Sequence, residues 1–329
     1  MILVKKIIVL TFILLLVFSS LTLAEDDFYR RQKDMVNRSF TYFQSGYFTS
    51  SLEHNFNNEY VKLNNDFSTS FIYSKYLLNL KLNNLIEEIN FGYESNLSNN
   101  QLEFEQDYKT SDYQIVGKNE NDDLSYSNLD INVILEQKFL IYNLGLGYEK
   151  QEQNYILEDG FNDINNNGNE SRENYTGEWF NYKLTADKPY IYLRLENVMQ
   201  DNGKSNHNVP EEYYDFIKKI FNIAKEGGLK IYPYITATNE IQYNNNDILT
   251  TDFKGFGLDY EQNWHKPLGE NLFFNIGYNY KYMNLDNEES SNKELINQYN
   301  LPVNTSDLDI EEKIKQSIHI FKAGLTLHF

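Results

Sequence analysis

The last thirteen residues, SIHIFKAGLTLHF from Ser317 to Phe329, constrain the fold more than any other stretch. From Phe321 onward, apolar residues occupy the odd positions and small or polar residues occupy the even ones. A period of two is that of a β-strand with two unlike faces. We therefore predict a strand here. A strand of a soluble sandwich would show the same alternation, so the rest of the chain must decide between the two settings.

The first 24 residues have the composition of an export signal. Lys5 and Lys6 precede an apolar run from Ile7 to about Phe18, and Thr22 and Ala24 supply the small residues of a cleavage site. We predict a signal peptide over residues 1–24 and one domain over residues 25–329. The alternative is an N-terminal membrane anchor, for which the apolar run is short.

The remaining sequence favours a barrel if the protein enters a membrane. No later stretch approaches the roughly 18 consecutive apolar residues that a spanning helix needs. Unpaired backbone groups are too costly in lipid, so a sheet must close on itself to span. The 27 tyrosines and 22 phenylalanines in a polar chain fit that arrangement, because only every second strand residue meets lipid.

The alternation that ends in Phe329, joined to the export signal, resembles the closing strand and assembly signal of bacterial outer-membrane β-barrels. The resemblance implies an all-β fold, a closed antiparallel transmembrane barrel in the outer membrane, in contact with its lipid and inserted by the barrel assembly machinery. It also implies which residues form the assembly signal: Phe321, Leu325, Leu327 and Phe329.

Alternating segments predict twelve strands, with fourteen as the alternative if a hairpin within residues 96–126 also spans the membrane. Residues 151–177 are predicted as a loop, and a bulge or an over-long strand is expected near Ser74. An even strand number with short turns on the periplasmic side is the usual plan of bacterial barrels. The short connections are predicted near five positions: Asn83, Lys138, Asp187 to Pro189, Ala237 to Asn239, and His265.

One segment breaks the strand pattern. Pro210 followed by Glu211 and Glu212, then apolar residues at helical spacing and a Gly227-Gly228 stop, predicts a helix over residues 210–226. Because it lies in a connection between strands, we expect it to cap a loop or to enter the lumen.

Polar and aromatic residues at inward-facing strand positions are the candidate pore lining. Rings of fixed charge select ions, and aromatic faces beside hydrogen-bonding groups suit sugars. The candidates are Lys75, Lys81, Glu136, Lys183, Tyr190, Tyr192, Arg194, Glu196, Lys230, Tyr232, Asp259, Glu261, Lys281 and Lys322.

The twelve-strand plan and polar lumen are loosely similar to the small monomeric porins that pass oligogalacturonate and sialic acid. Those porins line the pore with basic tracks, whereas here carboxylates are mixed in, which favours a neutral or weakly cation-preferring lining. We predict a passive channel for small hydrophilic solutes, including oligosaccharides, and no enzymatic activity. One alternative is a non-conducting surface barrel that acts in adhesion or interaction. Another is a hydrolase at the rim, with His207 near Ser205 and Asp201.

Composition limits the remaining chemistry. The net charge of −19 disfavours nucleic-acid binding, and the absence of cysteine excludes disulfides and thiolate ligands. One motif fits the start of a calcium loop, with Asp163, Asn165 and Asn167 at alternate positions before Gly168. The twelfth position is Asn174 instead of glutamate, so Asp159 or a nearby glutamate would have to supply the missing ligand. Apart from Ca²⁺ in this outer loop, no cofactor is predicted.

Overall fold

The computed structural model describes residues 39–57, 62–82, 85–97, 101–109, 113–139, 142–166, 168–196, 226–243, 248–269, 271–287 and 311–329. Within these ranges the chain forms eleven strands: β1 (Phe40–Asn57), β2 (Lys62–Lys81), β3 (Ile86–Asn96), β4 (Gln101–Lys109), β5 (Tyr113–Phe139), β6 (Tyr142–Asn166), β7 (Asn169–Glu196), β8 (Glu226–Tyr243), β9 (Leu249–Pro267), β10 (Leu272–Asp286) and β11 (Glu311–His328). In this part of the chain, no helix is both long and apolar enough to cross a membrane.

The strands form one closed antiparallel sheet. β1 pairs with β11 from Phe40 opposite His328 to Asn57 opposite Glu311, and its other edge pairs with β2 over its whole length. Along the rest of the sheet, strands that are neighbours in sequence pair with each other, except that β3 and β4 both lie between β2 and β5. The first and last strands therefore close a ring. The predicted closed antiparallel barrel is confirmed.

The strands β3 and β4 follow one another along a single line of the barrel wall. β3 pairs with the second half of β2 (Tyr73–Lys81), and β4 pairs with the first half (Lys62–Ser70). Where the line is interrupted, the Asn96 side chain donates to the Leu124 carbonyl at 2.9 Å and accepts from the Tyr126 amide at 3.1 Å. The wall therefore consists of ten continuous lines, with β3 and β4 counted together. The hairpin considered for the fourteen-strand alternative extends this wall and does not cross the membrane separately.

The connections between strands define two ends of the barrel. The β2–β3, β5–β6 and β9–β10 connections are short and lie at the end that holds Phe40 and His328, which we call the turn end. The opposite end, which we call the loop end, holds the β1–β2, β4–β5, β6–β7, β8–β9 and β10–β11 connections, and the β3–β4 connection lies partway along the wall. The segment 197–225 between β7 and β8 begins and ends at the turn end, where Glu196 pairs with Glu226. The predicted helix falls in this segment, outside the described residues.

Several predicted boundaries are wrong. Asp187 to Pro189 is not a turn but lies inside β7, and Ala237 to Asn239 lies inside β8, so each predicted pair of strands is one long strand. Residues 151–177, predicted as a loop, are mostly strand. These two mergers, together with the additional β4, account for eleven described strands against twelve predicted. Pro189 is tolerated because the β7–β8 register shifts between Asp187 and Ile191, where no ladder donor is required.

Hydrophobicity changes faces halfway along the strands. Near the turn end of β2, the outward residues are apolar, as at Leu78 and Tyr76, and inward residues are polar, as at Lys75. Nearer the loop end the inward residues are Phe71 and Phe67, and the outward positions are polar. The ladder with β1 continues without a register shift, so the over-long strand predicted near Ser74 is present and the bulge is not.

The same inversion gives the barrel two parts. Outward apolar side chains form a band around the turn-end half, the feature that faces lipid in transmembrane barrels, where it is about 25 Å tall. A tilted strand of 25 residues such as β6 rises about 60 Å, so roughly half of the wall stands beyond the band. That half has polar residues outside and a hydrophobic core inside, as in a water-soluble barrel.

Candidate functional site

The interior of the barrel is the first place to look for a site, and β6 passes through all of its layers. From the turn end, the inward residues of β6 include Glu149, then Gln151 and Gln153, then Tyr155 and Leu157, and finally Asn162. The interior is therefore charged at the level of the apolar band, then lined by amides, then hydrophobic, and again polar at the loop end.

Most of the predicted pore-lining residues lie in the charged layer. Lys75, Arg194, Lys230, Lys281 and Lys322 point into the barrel and are nearly inaccessible. The same layer holds buried Tyr190, Tyr232 and Asp259, with Glu261, Lys81 and Tyr192 less deeply buried. Only the backbone positions of Glu136 and Glu196 are described.

Lys183 is an exception to that placement, because it faces outward. Its side chain is 44% exposed and pairs with Glu240 at 3.4 Å. The prediction that it faces inward assumed that its neighbours Tyr182 and Leu184 face lipid. Both are buried in the core, because this part of β7 lies beyond the apolar band, where the polarity of the wall is inverted.

Charged groups of the interior pair across the lumen instead of leaving it open. Arg194 of β7 donates to both carboxylate oxygens of Glu88 of β3, at 2.7 and 2.6 Å. Lys281 of β10 reaches Glu94 of β3 at 2.7 Å. Both contacts join strands that are not neighbours in the sheet.

The remaining cations are paired as well. Lys230 contacts Asp130 at 2.6 Å and also Glu149, which Lys188 reaches at 2.9 Å. Lys75 lies 3.2 Å from Glu94, and Lys322 donates to Glu261. Charges buried in pairs of this kind hold each other in place, because separating them exposes each to a poorly solvating interior.

The amide layer closes the barrel a second time. The Nε2 atom of Gln316 on β11 donates to Gln153 of β6 at 2.7 Å, and Gln151 of β6 donates back to Gln316 at 3.0 Å. Beyond this layer, the Phe67 ring packs against Tyr155 and Tyr182, with ring centroids 4.7 and 4.8 Å away.

The space left inside is small. A cavity of about 40 Å³ lies at the turn end, lined by Tyr42, Asp130 and Asn263 among others, and one of about 10 Å³ lies beside the amide layer. A single water needs about 10–15 Å³, so the larger cavity holds roughly three waters. Neither of these two cavities has space for a solute such as a sugar.

A cluster of aromatic and polar residues lies inside the barrel at the loop end. It consists of Asn162 on β6 and Glu173, Tyr175, Trp179 and Tyr243 on β7 and β8; we call it the loop-end cluster. Tyr175 stacks on Trp179 with centroids 5.0 Å apart and an interplanar angle of 12°. Tyr243 meets the Trp179 ring edge-on at 5.9 Å. Trp179 and Tyr243 are buried and Tyr175 is half-buried.

Hydrogen bonds connect the cluster. Asn162 Nδ2 donates to the Tyr175 hydroxyl at 3.0 Å, and the Tyr243 hydroxyl donates to the same oxygen at 3.0 Å. The Tyr175 hydroxyl in turn donates to Glu173 at 3.3 Å. Burial raises the pKa of Tyr175, and the neighbouring Glu173 carboxylate also raises it. The phenol is therefore neutral at ordinary pH and acts as both donor and acceptor.

Sequence reasoning did not single out this cluster. Trp179 and Tyr243 lie in segments predicted to be partly loop or lipid-facing strand. One signal was present: Phe180, Tyr182 and Leu184 alternate next to charged, Asn-rich segments that are too polar for a lipid-facing band. That combination is typical of a strand whose apolar face points inward.

His54 and Glu312 form a buried hydrogen-bonded pair elsewhere in the loop-end half of the barrel, with 2.8 Å between Nε2 and Oε1. The pair is enclosed by aromatic rings, including Tyr182 and Phe253 at 5.6 and 5.7 Å from the imidazole. Because both side chains are almost fully buried, the pair has no access to a substrate. His207, the predicted rim histidine, lies outside the described residues.

The predicted calcium ligands already have protein partners. Asp163 accepts two hydrogen bonds from Arg172, at 2.6 and 2.8 Å, which lower the pKa of its carboxyl. Asn165 and Asp159 accept from the backbone amides of Gly168 and Gly177. The fourth residue, Asn167, lies outside the described residues. In the described ranges, no three His, Cys, Asp or Glu side chains converge on one point where a metal ion could bind.

Comparison with known proteins shows which solved structures share this fold. No protein-family model matches the chain, and neither does any curated protein sequence. Among solved structures, the outer membrane protease OmpT from Escherichia coli is similar with a TM-score of 0.59 at 12% identity, covering 89% of this chain and 97% of OmpT. The match to the translocator domain of the autotransporter NalP from Neisseria meningitidis covers 93% of this chain and 96% of that domain at 10% identity. The match to OprG from Pseudomonas aeruginosa covers 89% of this chain and 97% of OprG at 8% identity. Their TM-scores of 0.32 and 0.26 are too low to support further comparison. The chain thus has the fold of an outer-membrane β-barrel.

Proposed function

We propose that this protein is a non-conducting barrel of the outer membrane that presents its loop end at the cell surface for binding. The proposed orientation puts the turn end, with its three short connections and with Phe40 and His328, in the periplasm, and puts the half of the wall beyond the apolar band outside the cell. The likeness to OmpT supports the fold alone, so no protease activity is carried over from it.

The observation that carries this proposal is the crossed lumen. A passive channel, as the sequence predicted, needs a continuous polar path. Here Arg194–Glu88, Lys281–Glu94 and the Gln316 bonds join opposite walls at successive levels. A hydrophobic core then fills the barrel above them. An ion would have to break buried ion pairs and also enter an apolar interior, and each of these steps is costly.

Planar-bilayer recording tests the proposal. The protein, with its barrel verified by circular dichroism, should give no reproducible conductance steps at concentrations where a porin inserted by the same procedure does. The variant Lys281→Met with Glu94→Gln removes one crossing pair, and Lys75, which also faces Glu94, keeps Glu261 at 3.8 Å. It should remain silent, because the amide layer and the core still close the barrel. Discrete, reproducible conductance steps from the unmodified protein would refute the proposal and support a passive channel instead.

A further inference from the structure

We propose that the loop-end cluster is a binding site for a neutral carbohydrate. This inference rests on the proposed function, because it names the class of ligand that the surface-exposed end of a sealed barrel would take.

The aromatic side chains supply the first requirement, a flat apolar platform. Tyr175 and Trp179 stack face to face, and Tyr243 holds them edge-on, so the half-buried Tyr175 ring is fixed in one orientation. A sugar ring has one face of C–H groups that packs on such a platform. Rigid aromatic rings provide large contact areas while losing little conformational entropy on binding.

Polar atoms beside the platform supply the second requirement. Two of them are buried without a hydrogen-bond partner among the described residues: the donor Trp179 Nε1 and the acceptor Asn162 Oδ1. Buried polar groups normally have partners, so each such group needs an explanation. A donor and an acceptor on residues that contact Tyr175 match a sugar, whose hydroxyls both donate and accept.

Two glycines of the neighbouring strands lie next to these atoms. A Cβ at position 117 would come within 2.5 Å of Asn162 Oδ1, and a Cβ at position 160 would lie 3.0 Å from Trp179 Nε1. Gly117 and Gly160 occupy these positions on the two strands adjoining the cluster. Any larger residue at either position would collide with the cluster, so glycine is needed for the cluster to form.

The charges nearby argue for a neutral ligand. Glu173 belongs to the cluster, and Asp107 lies on an adjoining strand, held by Gln114 at 3.1 Å. The nearby cation Arg172 is occupied by Asp163 and by the Phe161 ring, 3.9 Å away. Acidic sugars would therefore be repelled. A cation would need ring faces on several sides, whereas here Trp179 already covers one face of Tyr175.

Tryptophan fluorescence gives a direct readout, because the chain has two tryptophans, Trp179 and Trp264. The variant Trp264→Phe leaves Trp179 in the cluster as the single reporter. We expect maltose or N,N′-diacetylchitobiose, added to this variant in detergent micelles, to change the emission saturably. Glucuronate and choline should have no saturable effect.

Two further variants in the Trp264→Phe background locate the site. Tyr175→Ala removes the platform and should weaken binding roughly tenfold or more, equivalent to about 1.4 kcal/mol. Tyr234→Ala removes a tyrosine from the outer wall, 47% exposed, and should bind as its parent does. Because Tyr175→Ala changes the surroundings of the reporter, its binding is also measured by equilibrium dialysis with radiolabelled sugar.

The outcomes separate this inference from the proposed function. Saturable binding of a neutral sugar that depends on Tyr175 supports the site. No response to either sugar overturns it even if the barrel is silent in bilayers, and a response to choline alone assigns the cluster to cations instead. Conductance steps combined with Tyr175-dependent sugar binding would overturn the sealed barrel and leave the site in place.

Discussion

At the scale of single residues, the outer wall beyond the apolar band contains a row of like charges. Glu53, Asp66 and Glu105 lie directly opposite one another on β1, β2 and β4. Partial burial raises the pKa of Asp66, and the Glu53, Glu105 and Asp107 carboxylates raise it further. Like charges directly opposite on adjacent strands are destabilising.

Replacing Asp66 by asparagine should therefore stabilise the barrel at neutral pH, by about 0.5 kcal/mol once solvent screening is allowed for. Because the folded-state pKa is raised, the penalty is present above that pKa and disappears as pH falls through it toward the unfolded value. Urea unfolding in detergent at pH 7 and pH 4 measures this, and the gain from Asp66→Asn should shrink at pH 4.

A matched control is Asp252→Asn, on the same outer wall. Asp252 accepts a hydrogen bond from Thr238 at 2.9 Å, so its carboxylate has a favourable partner. That change should give no stabilisation. An equal gain from both variants at pH 7 would indicate a general effect of net charge and would contradict the role of the row.

The buried His54–Glu312 pair gives a second prediction for single residues. Glu312→Ala should destabilise the barrel by about 2 kcal/mol, because it leaves the enclosed imidazole without its partner. The adjacent Glu311 is 65% exposed and points outward, and Glu311→Ala should change stability by less than about 0.5 kcal/mol. Urea unfolding of the two variants measures both changes in stability. Similar losses of stability would show that the His54–Glu312 contact does not stabilise the barrel.

At the scale of strands, the inversion of hydrophobicity along β2 predicts opposite responses to the same change on one face. Leu78 and Ser68 both point outward, but only Leu78 lies in the apolar band. Leu78→Lys should cost about 2–4 kcal/mol, the cost of a lysine facing mid-membrane lipid. Ser68→Lys should be nearly neutral, since its cross-strand neighbour is Glu103.

Refolding equilibria in lipid vesicles measure both variants. A large loss from Ser68→Lys would mean that the lipid boundary lies closer to the loop end than the inversion places it. A negligible loss of stability from Leu78→Lys would show that Leu78 does not face lipid.

The same inversion explains what could be predicted from the sequence. Alternation identified the strands of the apolar band, such as β10 and the end of β11, because there apolar residues face lipid throughout. Alternation gave the wrong direction for the Lys183 side chain, and it predicted turns at Asp187 and Ala237 that lie inside strands. Period-two alternation shows that two faces differ but not which one points inward, and that depends on whether the segment lies in lipid or in water.

The site was less predictable than the fold for a related reason. Inward charges such as Lys230 and Glu261 could be identified from the band strands, but their pairing depends on contacts across the lumen between strands far apart in sequence. The loop-end cluster brings Asn162, Tyr175 and Tyr243 together through strand register, which neither composition nor local spacing contains.

At the scale of the whole molecule, orientation in the membrane is the remaining prediction, and the lack of cysteine makes it simple to test. Three single-cysteine variants report three levels: Ser68→Cys beyond the band, Ser45→Cys on the outward face within it, and Asn271→Cys at the turn end. If the loop end faces outward, a membrane-impermeant maleimide should label Ser68→Cys on intact cells. Asn271→Cys should react only after the outer membrane is permeabilised, and Ser45→Cys should stay unlabelled because lipid covers it. Labelling of Asn271→Cys but not Ser68→Cys on intact cells would show that the barrel has the opposite orientation in the membrane. The loop-end cluster would then lie in the periplasm, out of reach of any ligand at the cell surface.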